Sequence, residues 1–178
     1  MPRLFTAVEM PADVAFRLSL LKGGLPGARW IDPENYHLTL RFIGDIDDRT
    51  ADEVADALDR VQRRPFTLTI SGLDAFSGRT PHSLFARVEP TPSLVELQGE
   101  HERIMQRLGL KPDPRKFMPH VTLARLRGTS SAEVAMWLAM RGDFRLPPIE
   151  VSRFVLYSSR ASVGGGPYLV EEAYPLAA

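Results

Sequence analysis

The sequence contains no cysteine. Disulfides, thiolate nucleophiles and cysteine-ligated zinc are excluded together. It has no surplus of either charge, because 22 basic and 22 acidic residues cancel. A long-groove, sequence-blind binder of nucleic acid normally carries a strong basic excess, which weakens that reading. A small site for one phosphate or one RNA end escapes the argument. No apolar run approaches the roughly 20 residues needed to cross a bilayer, so no membrane association is expected. The opening MPRLFTAVEMPADV lacks the apolar core of a signal peptide, and a cytoplasmic location is the expectation. Gly164-Gly165-Gly166 is not a GxGxxG fingerprint and no helix pattern follows it. It reads as a flexible link, and a dinucleotide site is unsupported.

What remains is an ordinary globular composition, 44% hydrophobic and 25% charged over 178 residues. That length suits one compact domain or two small fused lobes. Period-two alternation or short apolar runs predict strands at 3–10, 29–31, 36–43, 66–73, 83–89, 117–126, 144–146, 150–158 and 168–174. Helical spacing predicts helices at 12–22, 47–63 and 92–108, and a fourth from Ser130 or Ser131 to Met140, with Glu133 placed for a cap. The segments 74–82 and 109–116 read as loops. Strands and helices mix throughout, which favours α+β with antiparallel pairing over alternating parallel units. The two halves look loosely related.

The distinctive feature is a repeated string. YHLTLRFI runs from Tyr36 to Ile43 and PHVTLARL from Pro119 to Leu126. Side chains alternate along a strand, so His37 and Thr39 share one face, with Leu38 and Leu40 on the other. His120 and Thr122 repeat this against Val121 and Leu123. A lone strand histidine is usually a surface residue or a hydrogen-bonded filler. Two of only four histidines in one His-x-Thr-Leu frame, 83 residues apart, point instead to a shared site. An imidazole both takes and gives protons near neutrality, so one can be base while another is acid. A threonine hydroxyl is a neutral donor suited to a phosphoryl oxygen. Two of each converging on one pocket would fit a tetrahedral anion.

Other residues read more plainly. Arg41 extends the face of His37 and Thr39, whereas Arg125 and Arg127 fall on the other parity or beyond the strand end. With Arg115 and Lys116 they are expected as a solvated rim, some of it at the pocket mouth. His82 and His101 read as surface residues, Trp137 and Phe42 as core, and Tyr157 and Tyr168 as ordinary strand residues. Trp30, Phe76 and Phe117 are weak candidates for stacking on a base. Asp45, Asp47 and Asp48 look like a helix start.

The pair of motifs resembles the paired HxTx signatures of the 2H phosphoesterase superfamily. More narrowly, the chain is similar to the bacterial and archaeal RNA 2′,3′-cyclic phosphodiesterases, once described as 2′-5′ RNA ligases. RLFTAVEMP, HLTLRFIG, SLFARVEP, FMPHVTLAR and FVLYSSR…GGPYLVEEAYPL fit that pattern in order. The resemblance implies one domain over 1–178, made of two pseudo-symmetric lobes that each present an HxTx strand to a central cleft. Antiparallel sheets would flank the cleft, with helices outside. It implies hydrolysis of a terminal 2′,3′-cyclic phosphate to a 2′-phosphomonoester, with no metal and no cofactor. His37 would protonate the leaving 3′ oxygen and His120 would activate water. Thr39 and Thr122 would hold the phosphate, and Arg125 matches a frequent family arginine. The spacing of the motifs alone leaves the two histidine roles open. The expected partners are RNA ends or nucleoside 2′,3′-cyclic phosphates, bound by a monomer without a protein partner. Three alternatives share these residues: a metallohydrolase, a binding module without turnover, and RNA ligation with a 5′-hydroxyl in place of water. The sequence shows no close His/Asp/Glu grouping of the usual ligand kind, which counts against the first.

Overall fold

The structure is a computed structural model that describes residues 2–159 and 166–177. Gly164 and Gly165 of the expected flexible link lie outside the described residues. The chain runs β1 (Arg3–Glu9), α1 (Ala12–Ser19), β2 (Ala28–Trp30), a 3₁₀ turn (Pro33–Asn35), β3 (His37–Asp45) and α2 (Asp48–Leu58). It continues through β4 (Phe66–Leu68), β5 (Ile70–Ser77), β6 (Pro81–Val88), α3 (Pro92–Arg107) and β7 (His120–Leu126). It closes with α4 (Ser131–Ala139), β8 (Ile149–Val151), β9 (Arg153–Ser159) and β10 (Tyr168–Pro175).

The expected α+β class and antiparallel pairing hold. The sheets that flank the cleft are two halves of one eight-stranded sheet, in the order β10-β9-β1-β3-β7-β6-β5, with β2 also on β7. The halves meet at the β3–β7 edge through a single paired position, Leu38 opposite Val121. β4 and β8 form a separate two-stranded sheet.

One face of the large sheet is covered. Leu38, Leu40, Val121 and Leu123 join Val14 and Leu18 of α1, Val54 and Leu58 of α2, and Leu94, Leu97 and Met105 of α3 in the main core. Leu84, Ala124 and Leu126 pack with Val134 and Trp137 of α4 in a second cluster. The helix starts follow local chemistry. Asp47 accepts the Thr50 N–H at 2.7 Å, and Ser130 with Glu133 forms a reciprocal capping box.

Several boundaries differ from the sequence reading. α2 stops at Leu58, where the ladder tightens into i−3 turns, Arg60 onto Ala57 and Val61 onto Leu58. Arg63 reaches across to Glu100 of α3 at 2.6 Å. The stretch 66–73 divides at Thr69, where β4 leaves for β8 and β5 turns to β6. In the same way 150–158 divides at Ser152, and 144–146 supplies only an isolated bridge from Arg145 to Ser71. The expected loop 74–82 is a hairpin closed at Gly78–Thr80, which keeps Phe76 inside β5.

His101 is the largest correction. It is 0% exposed, not a surface residue. It falls in the stripe Leu94, Leu97, His101, Ile104, Met105, so helical spacing turns it inward while Glu100 and Glu102 stay outside it. Its Nδ1 lies 2.8 Å from Thr6 Oγ1 and its ring meets Phe154 edge-on at 4.6 Å. Burial pushes its pKa down to about 3, and the charge of Arg63 lowers it further.

His101 therefore stays neutral in the fold, while the unfolded chain takes a proton near the ordinary value of 6.5. Below that pH the unfolded state binds more protons, so stability falls as pH falls, by about 1.4 kcal/mol per unit for one such group. Urea unfolding at pH 7, 6 and 5 should show this loss. His101→Phe should make it shallower by the share of this one group, while orphaning the Thr6 hydroxyl at a cost of about 1–3 kcal/mol at pH 7. An unchanged slope in the variant would reject the neutral buried imidazole.

Candidate active site

The site is built around the Leu38–Val121 contact. Both side chains are 0% exposed and point into the helix-covered core. Residues on either side of a paired position project from the opposite face. His37, Thr39, His120 and Thr122 therefore all emerge on the face away from that core. Antiparallel register about this pair sets His37 opposite Thr122 and Thr39 opposite His120, with the two histidines on the diagonal, about a local two-fold axis. Directly opposite positions in such a pair have Cβ atoms about 4.5–5.5 Å apart. Residues 83 apart in sequence thus share one surface a few ångströms across.

Each motif is followed by a bulge. On β3, Thr6 of β1 faces Arg41 while Ala7 faces Thr39, leaving Leu40 as the extra residue. On β7, Leu84 of β6 faces Ala124 while Phe85 faces Thr122, leaving Leu123 extra. Each bulge reverses the parity of the residues after it. Arg41 was expected beside His37 and Thr39; it turns into the core and is 5% exposed. There its Nε donates to Glu102 at 2.9 Å, its Nη2 to the Lys111 carbonyl at 2.6 Å and its Nη1 to the Phe42 carbonyl. Arg125, expected on the wrong parity, is returned to the face of Thr122. Phe42 is likewise not fully core: it stands opposite Phe5 on the open face with Arg3 over its ring at 5.1 Å.

The two imidazoles are held alike. His37 Nδ1 is 2.8 Å from the carbonyl oxygen of Asn35, and His120 Nδ1 is 2.6 Å from that of Met118. A carbonyl only accepts, so each Nδ1 carries the proton and donates. Each Nε2 is left to do chemistry. That of His37 lies 2.9 Å from Thr39 Oγ1, whose hydroxyl donates to it while the ring is neutral.

The LigT-like phosphoesterase family model matches the chain twice, over residues 8–86 and 84–168. Each match contains one HxTx strand. The chain belongs to this family. It is 33% identical to an RNA 2′,3′-cyclic phosphodiesterase of Thermotoga maritima, over 94% of this chain and 92% of that one. To the enzyme of that name from Aeropyrum pernix it is 32% identical, over 80% of this chain and 82% of the other. TT0787 of Thermus thermophilus superposes with a TM-score of 0.78 at 25% identity, covering 98% and 97% of the two chains. E. coli LigT, solved in complex with 3′-AMP, gives a TM-score of 0.76 at 24% identity with 99% coverage of each.

The surroundings of the histidines in this LigT-like chain were not legible from the motif. Phe5, Tyr157 and Tyr168 surround His37, with ring centroids 5.1, 5.8 and 5.0 Å away. Phe76 and Phe85 sit against His120 at 4.9 and 5.2 Å. Tyr157 and Tyr168 are thus more than ordinary strand residues. Strand pairing was the missing signal: Phe5 lies opposite Tyr157, and Phe85 opposite Thr122. Phe76 keeps its place at the site. Trp30 instead packs toward Trp137 at 6.0 Å on the covered face, and Phe117 packs against the main core. Asp47 is a helix cap, as the sequence suggested. No group of three or more His, Asp or Glu among the described residues is arranged to hold a metal ion. No helix among them is long and apolar enough to cross a membrane.

Burial pushes the pKa of His37 down to about 4; its Asn35 carbonyl opposes this, and the charges of His120 and Arg125 add to it. His120 is lowered too, by burial first, then by Arg125 and Arg115. Both rings are therefore mostly neutral at pH 7. An anion between them stabilises each imidazolium and reverses the sign. NMR titration should give both histidines pKa values below 6.5 in the free protein, rising on addition of inorganic phosphate. Values that do not move with phosphate would mean that the rings do not share an anion site.

Proposed function

We propose that this protein hydrolyses the 2′,3′-cyclic phosphate at an RNA 3′ end, leaving a 2′-phosphomonoester and a free 3′-hydroxyl. The supporting observation is the diagonal quartet: His37, Thr39, His120 and Thr122 on one face about the Leu38–Val121 pair. Its two imidazoles share an Nδ1–carbonyl hydrogen bond that turns each Nε2 toward the open face, that of His37 onto Thr39. Relatives at 33% and 32% identity carry the name RNA 2′,3′-cyclic phosphodiesterase.

In this reading the phosphoryl group sits over the quartet. His120 Nε2 takes a proton from water, and the oxygen attacks phosphorus. The bond to the 3′ oxygen breaks in line, and His37 Nε2 gives that oxygen its proton. Thr39 and Thr122 hold the non-bridging oxygens as charge builds, with the positive charge of Arg125 nearby on the same face. The roles of the histidines follow the family; the near-two-fold geometry serves either direction. The ring is strained and the leaving oxygen stays tethered, so alignment and proton transfer suffice. The reading takes residues 1–178 as one domain of two lobes, acting as a cytoplasmic monomer and needing no metal.

Both histidines are neutral in the free protein, so the acid gains its proton as the anion binds. The profile of kcat/KM, which reports the free protein, should be a bell with its optimum below pH 6.5. The kcat profile, which reports the complex, should peak at higher pH. Coincident optima at or above 7 would contradict this charge assignment.

Product analysis of a short RNA ending in 2′,3′-cyclic phosphate, with a chelator present, tests the function. The expected product is the 2′-phosphate. A 3′-phosphate, a ligated strand or no reaction would each replace the reading with another. His37→Ala and His120→Ala should each lower kcat by about a hundred- to ten-thousand-fold while circular dichroism stays native. Thr39→Ala and Thr122→Ala should cost about ten- to a hundredfold, the worth of one hydrogen bond to a charged group.

A further inference from the structure

β7 offers one edge to two strands. β3 takes it at Val121, and β2 takes it from Ala124 to Leu126. Within the second pairing Arg29 stands directly opposite Arg125. Residues opposite one another in an antiparallel pair rise from the same face. Trp30 and Ala124, one position along, face the other way into the cluster with Trp137. The register then continues across the sheet, with Arg125 opposite Ser83 and Ser83 opposite Phe76. One row of the open face is therefore Arg29, Arg125, Ser83, Phe76. It adjoins the histidine site at two points: Phe76 touches His120 at 4.9 Å, and the charge of Arg125 acts on His37 and His120.

Two exposed guanidinium groups side by side on one face can each hold an anion bidentately. The positions opposite the two histidines also differ. Glu9, opposite His37, is neutralised by Arg153 at 2.8 Å, whereas Arg87 stands opposite His120. The second half therefore adds positive charge beside the quartet where the first is balanced. Arg125 lies three residues beyond Thr122, about 10 Å along the strand before the bulge shortens it. That spacing suits a phosphate next to the one at the quartet.

We infer that Arg29 and Arg125 form a second phosphate subsite, for the phosphodiester immediately 5′ of the terminal cyclic phosphate. Nothing follows a cyclic 3′ end, so any second phosphate of the substrate lies on its 5′ side. A nucleoside 2′,3′-cyclic monophosphate has none. Arg29 thereby makes the site one for RNA ends rather than free nucleotides. The inference rests on the cyclic-phosphodiesterase reading for the identity of its ligand, but its test does not require turnover.

The probes are a labelled trinucleotide RNA bearing a terminal 2′-phosphate and a nucleoside 2′-phosphate. Their affinities are measured between about 50 and 200 mM salt, a range over which phosphate contacts weaken steeply. The wild type should bind the trinucleotide more tightly, with the steeper salt dependence. Arg29→Gln should narrow the gap between the two ligands about tenfold, the worth of one charge-assisted hydrogen bond. It should also make the trinucleotide slope shallower by about 0.7 for each phosphate no longer neutralised. Arg29→Lys should keep most of the slope. Equal affinities in the wild type, an equal loss for both ligands, or no loss for either would overturn the subsite. A gap that closes in Arg29→Gln, from a wild type that hydrolyses no cyclic end, would leave the subsite standing and remove the catalytic reading.

Discussion

One cross-strand contact organises this molecule. Leu38 and Val121 are the only registered pair between β3 and β7 among the described residues, and both are fully buried. Their burial fixes which way the neighbouring residues point. A slip of one position would send the histidines and threonines into the core and bring leucines out. The hydrophobic effect on one face of the sheet thus sets the polar geometry on the other. The two strands then diverge, and β2 replaces β3 along β7. The contact is short, yet it is flanked on each side by well-paired strands, β1 on β3 and β6 on β7.

The bulges complete what the pair begins. A regular strand would place Arg41 in the cleft and Arg125 in the core. The extra residue at Leu40 or Leu123 exchanges these fates. In the first half the reversed arginine finds Glu102 and two backbone carbonyls, which compensates its desolvation. Glu102 also accepts the N–H of Asp113, so the same cluster ties down the segment that leads into β7. In the second half a small residue, Ala124, takes the buried place, and no ion pair is needed. Symmetric backbone irregularities therefore carry asymmetric side chains.

Much of this could be read from the residues. The HxTL repeat gave both strands, their inward and outward faces and the four polar groups, because period two is a local property. The helix stripes were equally local. Most of the failures were non-local or sat at irregularities. Parity beyond each motif depended on a bulge, which single-sequence alternation does not reveal. The aromatic rings around His37 come from β1, β9 and β10, and only the pairing register brings them together. His101 was the one error with a local remedy. It sits at the i+4 position from Leu97 and i−4 from Met105, so the stripe already marked it as inward. Thr6 on the facing strand meets its Nδ1, which lets so polar a ring sit in the stripe, while its Nε2 stays buried without a hydrogen bond among the described residues.

A two-fold arrangement is well matched to in-line displacement, because base and acid must stand on opposite sides of phosphorus. Symmetry alone, however, makes the two directions equivalent, and a substrate with distinct ends needs something to break the tie. The environment of the pair supplies it. His37 is enclosed by Phe5, Tyr157 and Tyr168 beside the balanced Glu9–Arg153 ion pair, whereas His120 borders Phe76 and three arginines, Arg87, Arg115 and Arg125. A neutral base needs little help near it, but an anionic chain that continues away from the reacting phosphate needs a positive path. Charge that is asymmetric around a symmetric quartet would, in the proposed reaction, orient an RNA end before any proton moves. In the proposed reaction that orientation settles which imidazole meets water and which meets the leaving oxygen.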